Sequence, residues 1–206
     1  MGCCLGKRGG GGDAEIEIGS SATNAAVTCK GGAHGGDVKV VALEADRRSS
    51  FGVSGSGTAL GSCTLECDVG MWECKVGKGS AGVQLGIKRW NAKKPSTLEY
   101  SLSAGASADS PSWCFPGATQ GGKDLEEGDV VTICWDQTDL PMLSFSVNGN
   151  PYPNASVSRI RPSQDCYPAL SVETGSSAEF IFDGESFSYP PQGSKFKMII
   201  CSTSLI

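Results

Sequence analysis

The sequence predicts an all-β, antiparallel sandwich, and three observations predict it. Apolar and polar residues alternate over short runs, the two-residue period of a strand with one face buried. Gly, Pro, Asn and Ser punctuate those runs, and 29 glycines in 206 residues are about twice ordinary usage. No stretch keeps a convincing helical period. The length suits one domain of ordinary size plus a tail.

Residues 1 to 36 are expected to be that tail. Met1-Gly2-Cys3-Cys4-Leu5-Gly6-Lys7-Arg8 has the form of an acylated N-terminus: removal of Met1 exposes Gly2 as a myristate acceptor. Gly6 stands where Ser or Thr is usual. One myristoyl chain binds a bilayer only marginally, at about 10⁴ M⁻¹, so stable anchoring needs a second signal. Lys7 and Arg8, followed by Asp13, Glu15 and Glu17, make a poor polybasic patch; Cys3 and Cys4 are the natural second signal as palmitoylation sites. The rest of the stretch is rich in Gly, Ala, Ser and Thr and reads as a disordered spacer. His34 lies within it, badly placed to act as an oriented base.

Ordered structure is expected from Asp37, where Val38, Val40 and Ala42 alternate with Lys39 and Val41. The Gly/Ser stretch that follows Arg47-Arg48 reads as irregular, and Gly55 to Gly61 as an ordinary turn, since its spacing fits no phosphate loop. Cleaner strands follow, with Trp72, Cys74 and Val76 on one face, then Val83, Leu85 and Ile87. Val131, Ile133 and Trp135 share a face of the next, and Leu143, Phe145 and Val147 a face of the one after. The loop from Gln137 to Met142 separates that pair, and Asn148-Gly149 closes the second with a dipeptide that tolerates positive φ. Two more strands are predicted, Tyr167 to Val172 and Ala178 to Phe182. The domain runs from 37 to 194, and residues 195 to 206 form a last strand or tail.

The chemistry-bearing side chains form no catalytic pattern. Net charge is −5, and no basic block exceeds two residues, which argues against nucleic acid. The apolar run Met198 to Cys201 is far too short for a bilayer span, and no secretory signal opens the chain. Ten cysteines lack the paired spacing of a zinc site, so neither metal nor cofactor is expected. Cys74, Cys114, Cys134 and Cys166 read as small buried apolar residues.

Seven segments, in order, resemble the SPRY family. They are Gly70-Met71-Trp72-Glu73-Cys74-Lys75-Val76, Gln84-Leu85-Gly86-Ile87, Ser112-Trp113-Cys114-Phe115-Pro116-Gly117, and Gly128-Asp129-Val130-Val131 with Trp135-Asp136. After these come Leu143-Ser144-Phe145-Ser146-Val147-Asn148-Gly149, Tyr167-Pro168-Ala169-Leu170-Ser171, and Phe182-Asp183-Gly184 with Phe187-Ser188-Tyr189-Pro190-Pro191. The resemblance covers about 70 to 190, with Cys114 in place of the usual Gly and Phe-Asp-Gly in place of Asn-Phe-Gly. It implies a bent sandwich of the concanavalin-like jelly-roll kind that binds proteins or short peptides through loops at one end and has no catalytic centre.

Apolar strand residues, Trp72 and Trp135 included, are then core. Partner contacts are expected from Trp90, Tyr100, Trp113 and Tyr152, which lie between strands and are of types that dominate binding energy. Trp113 also matches a family position that is often partly buried. The leading expectation is a non-catalytic adaptor, held by lipid at Gly2, Cys3 and Cys4 on the cytosolic face of a membrane. A stable subunit of a larger complex is the alternative, and a cysteine enzyme or redox sensor using Cys63 or Cys67 a third.

Overall fold

The computed structural model describes residues 29–30, 38–43, 50–61, 65, 68–89, 112–160 and 166–190. Among them there is no α-helix. The strands are β1 (Cys29–Lys30), β2 (Lys39–Ala42), β3 (Ser50–Gly61), β4 (Val69–Val76), β5 (Val83–Arg89), β6 (Ser112–Cys114), β7 (Val130–Asp136), β8 (Met142–Val147), β9 (Asn150–Pro151), β10 (Val157–Ser158) and β11 (Cys166–Ile181). Every pairing is antiparallel. No helix among the described residues is long and apolar enough to cross a membrane.

Two long strands bend one hydrogen-bonded sheet into two layers. β3 follows β11 along most of its length, from Ala169↔Leu60 to Ile181↔Ser50. On its other side β11 changes partner: Cys166–Val172 pair with β5, whereas Ala178–Ile181 pair with β4. The first layer is therefore β1, the end of β3, the start of β11, β5 and β6. The second is β2, the start of β3, the end of β11, then β4, β7, β8 and the short β9 and β10. At the changeover, Glu173, Thr174 and Gly175 of β11 face Ser56 alone, a bulge that turns the strand. Gly55 (φ 102°), Gly57 (φ 139°) and Gly175 (φ 89°) supply backbone that other residues rarely adopt. The turn after β4 stitches the corner: Ser177 N donates to Lys78 O (2.9 Å) and Ser176 Oγ to Gly79 O (2.7 Å).

Two expectations are corrected here. Gly55 to Gly61 is no turn but part of β3. The strands expected at Tyr167 to Val172 and Ala178 to Phe182 are one 16-residue strand. Glycine and serine conceal a strand wherever a sheet must bend sharply, because the bend needs the residues that otherwise mark a loop. Cys29 and Lys30, within the stretch expected to be tail, pair with Gly61 and Leu60.

The core lies between the layers. Val131, Ile133 and Trp135 are fully buried opposite Val147, Phe145 and Leu143, and Trp72 and Cys74 lie across from Ile133 and Val131 on the other side. Phe51 and Phe180 continue this inner face, while Leu85, Ile87 and Leu170 line the other layer. Each large apolar side chain buried this way contributes about 1.5–3 kcal/mol. Away from the bend the layers meet: a Cβ at Gly61 would lie 3.2 Å from both the Phe182 ring and Pro168. Leu65, fully buried, donates its N–H to Cys166 O (2.8 Å) and plugs that end.

Candidate partner surface

The registers place five connections at the end away from the bend, the β2–β3 connection from Leu43 to Ser50 among them. The β3–β4 connection leaves at Gly61 and returns at Val69, and the β5–β6 connection leaves at Arg89 and returns at Ser112. The β7–β8 loop and the β10–β11 connection reach the same end. Of these, the β7–β8 loop is fully described. Asp136 shapes it, accepting from Thr138 N (3.0 Å) and Thr138 Oγ1 (2.7 Å), while Gln137 N donates to Asp68 O (2.6 Å). Asp136 is thus a loop former, as its strand-end position implies. Leu140 stands 53% exposed on the loop, between exposed Asp139 and half-buried Pro141.

Arg159 lies beside it. Its N–H donates to Pro141 O (2.6 Å), its side chain is exposed, and its φ is 62°. A non-glycine residue in the left-handed region costs about 1–3 kcal/mol, and such residues cluster at binding sites. From the sequence the loop Gln137 to Met142 is expected at the rim of the partner surface, without Leu140 being singled out; Arg159 is missed. A leucine before a proline in a loop of acidic and polar residues was the available signal for Leu140; nothing local announces Arg159.

The sequence candidates fall in two groups. Trp90 and Tyr100 lie outside the described residues, as do Gly2, Cys3, Cys4, His34, Cys63 and Cys67. Trp113 and Tyr152 are both half-buried against the core. Trp113 lies across from Ile87 on edge strand β6. Phe115, next on that face, crosses between layers to meet Phe145 (centroids 5.5 Å apart, 64° between planes) and Tyr152 (5.6 Å, 87°). Edge-to-face pairs of this kind are worth about 0.5–1.5 kcal/mol beyond the area they bury. Tyr152 N also donates to Phe145 O (2.9 Å). Gly121 sits against Asn154; a Cβ there would lie 3.0 Å from the Asn154 carbonyl oxygen. Tyr152 consequently staples the two layers.

A polar network at the other end holds the start of β7. Asp129 accepts from Lys123 Nζ (2.7 Å), Glu126 N (2.9 Å) and Asn148 Nδ2 (2.7 Å), while Asn148 Oδ1 accepts from Val130 N (2.9 Å). These bonds fix Asn148 at φ 50° and Gly149 at φ 77°, the tight turn expected of Asn-Gly. Burial raises the Asp129 carboxyl, but the bonds from Lys123, Glu126 and Asn148 together hold it below its ordinary value. Lys123 is raised, chiefly by its bond to Asp129. Asp129→Ala is expected to cost about 2–3 kcal/mol at neutral pH, by stranding donors aimed at a charged acceptor. Since the folded carboxyl titrates low, its contribution is complete above pH ~4 and lost as pH falls through the folded value. Urea titrations at pH 7 and pH 3 check this: the difference between wild type and variant narrows at the lower pH.

Thiol chemistry is suppressed at the described positions whose acidity shifts. Burial pushes Cys114 up to about 11, a backbone hydrogen bond offsetting only part of it. Burial, and then the charge of Glu73, pushes Cys134 up to about 12. Both stay protonated at neutral pH, so neither is a nucleophile there. Cys134 is half-buried on the outer face of its layer, unlike the fully buried Cys74 and Cys166. Among the described residues no three His, Cys, Asp or Glu side chains cluster to hold a metal ion.

No family model matches the chain. No curated protein matches it either. Among solved structures it is similar to the SPRY domain of human HERC1 (18% identity, TM-score 0.43, covering 71% of this chain and 97% of that one). It is also similar to a human SPRY domain (15% identity, TM-score 0.45, covering 70% and 96%). A third is the NEUZ (NHR) domain in Neuralized from Drosophila melanogaster (9% identity, TM-score 0.48, covering 79% and 95%).

Proposed function

We propose that the chain is a non-catalytic protein-interaction module, recruiting a protein or short peptide at the sandwich end away from the bend. The observation that carries the reading is the β7–β8 loop. A rigid, hydrogen-bonded frame holds Leu140 in solvent beside Arg159, whose strained backbone is kept in place by Pro141. Apolar and arginine side chains presented on a pre-organised loop are what a partner surface needs, because little entropy remains to be lost on binding. The ordered series of SPRY-like segments supports the same reading. Trp90 and Tyr100, on the β5–β6 connection that reaches this end, are the further candidates for contact.

The N-terminus completes the proposal. Myristate on Gly2 and palmitate on Cys3 and Cys4 tether the module to the cytosolic face of a membrane. The tether raises the effective concentration of a modest-affinity site for partners already there.

Two variants test the parts separately. Proximity labelling from the full chain in cells identifies partners, and Leu140→Asp with Arg159→Ala is expected to remove them while the melting temperature stays within a few degrees. Retention of every partner by that double variant sinks the assigned surface. Gly2→Ala is expected to move the protein to the soluble fraction with partner affinity unchanged in solution. If that variant stays fully membrane-bound, lipid anchoring is wrong.

A further inference from the structure

We propose that the outer edge of β2 is completed by a strand from the same chain, residues 13–18. Among the described residues β2 pairs with β3 alone. Leu43 N donates to Ser50 O (3.1 Å), so the hydrogen-bonding groups of residues 39, 41 and 43 face β3. In an antiparallel ladder these alternate, which turns the N–H and C=O of Val40 and Ala42 toward the outer edge. On the outer face Val41 is 59% and Leu43 44% exposed. The run Val40-Val41-Ala42-Leu43 carries no proline, bulge or inward charge, the usual guards of a free edge; Lys39 stands alone at its start.

The occupant is argued from sequence, charge and reach. Residues 13–18 read Asp-Ala-Glu-Ile-Glu-Ile, with three acids on one strand face and three aliphatic residues on the other. It is the one stretch within residues 1–28 to keep a strict two-residue alternation. With the acids on the outer face beside exposed Lys39, the isoleucines fall on the inner face and continue the buried side of Val40 and Ala42. Six residues cannot form a stable strand alone, but an existing edge supplies the missing ladder. Chain length permits it. β1 pairs at Leu60 and β2 at Ser54, on the same flank of β3 and six residues apart, which spans about 20 Å. Residues 19–28, ten in all, join Ile18 to β1 and reach up to about 33 Å.

Hydrogen exchange on the full chain decides it, comparing wild type with Ile16→Asp/Ile18→Asp. The Val40 and Ala42 amides are expected to exchange about tenfold or more faster in the variant. The Val41 amide, already paired with β3, is expected to stay unchanged and reports that the domain remains folded. Equal rates at Val40 and Ala42 in the two proteins overturn the proposal. Fast exchange in both leaves the edge without that strand, and slow exchange in both assigns it another occupant. Protection that grows with protein concentration identifies that occupant as a second copy.

Discussion

Glu73→Ala is expected to destabilise the fold by about 3 kcal/mol, from three donors left without their charged acceptor at about 1 kcal/mol or more each. Glu73 is fully buried on the outer face of β4. Its carboxylate accepts from Ser188 N (2.7 Å), Tyr189 N (2.9 Å) and Thr132 Oγ1 (3.2 Å). It thereby pins the segment after β11 across the second layer. Asp183 starts that segment, accepting from Glu185 N (3.1 Å) and Ser186 Oγ (2.8 Å), and the Tyr189 ring ends against Gly149. Alanine strands two backbone donors and a hydroxyl, each aimed at a charge that is gone. Urea denaturation measures the loss. A second readout separates release of the segment from a general loosening. Without the neighbouring carboxylate the Cys134 thiol falls below about 12 and labels faster, while Cys114, away from Glu73, keeps its wild-type rate. A variant within 1 kcal/mol of wild type, by the ordinary worth of a single hydrogen bond, shows that the clamp contributes little.

Lys88→Met is expected to have the opposite sign, stabilising the chain by about 1–3 kcal/mol at pH 7. Lys88 is 2% exposed on the outer face of β5, and its Nζ has no hydrogen-bond partner among the described residues. Burial lowers its ammonium from 10.5 to about 8. The unfolded chain therefore binds a proton at Lys88 that the folded chain does not between about pH 8 and 10.5, and this residue's contribution to stability rises with pH across that window. At one to one-and-a-half kcal/mol per pKa unit, the rise is about 3 kcal/mol. Methionine fills the same space without a charge, so the variant lacks this slope and the gap between the two proteins closes as pH rises. Lys123, Cys114 and Cys134 act in the reverse direction: each is raised on folding, so its contribution is lost as pH climbs from the ordinary value toward the folded one. Urea midpoints at pH 7, 8, 9 and 10 measure the slope. A stability deficit of wild type against Lys88→Met that does not close from pH 8 to 10 contradicts the burial cost assigned to Lys88.

Both residues occupy positions that the sequence marks as solvent-facing. Glu73 alternates with Trp72 and Cys74, and Lys88 follows Ile87, so two-residue periodicity assigns each to the outside of its strand. That assignment of face is right. What periodicity cannot express is whether a later segment crosses that face. Ser188 and Tyr189 lie more than a hundred residues from Glu73, and only the folded chain brings their N–H groups to its carboxylate. Trp113 and Tyr152 teach the converse. Each sits between predicted strands, where an aromatic ring looks available, yet both are half-buried against the core, and Tyr152 meets Phe115 edge to face between the layers.

By itself the sequence determined the all-β class, the alternating faces of β4, β5, β7 and β8, the buried places of Trp72 and Trp135, and the Asn148-Gly149 turn. These depend on local period and backbone preference, which neighbouring residues carry. Tertiary structure alone decided that the glycine-rich run from Ser50 to Gly61 is a strand, that β11 continues through a bulge, and that a buried carboxylate holds the segment after it. The reason is common to all three. A bend, a bulge and a buried polar clamp each violate local preference, and each is stable only because distant strands supply the hydrogen bonds and burial that offset the violation.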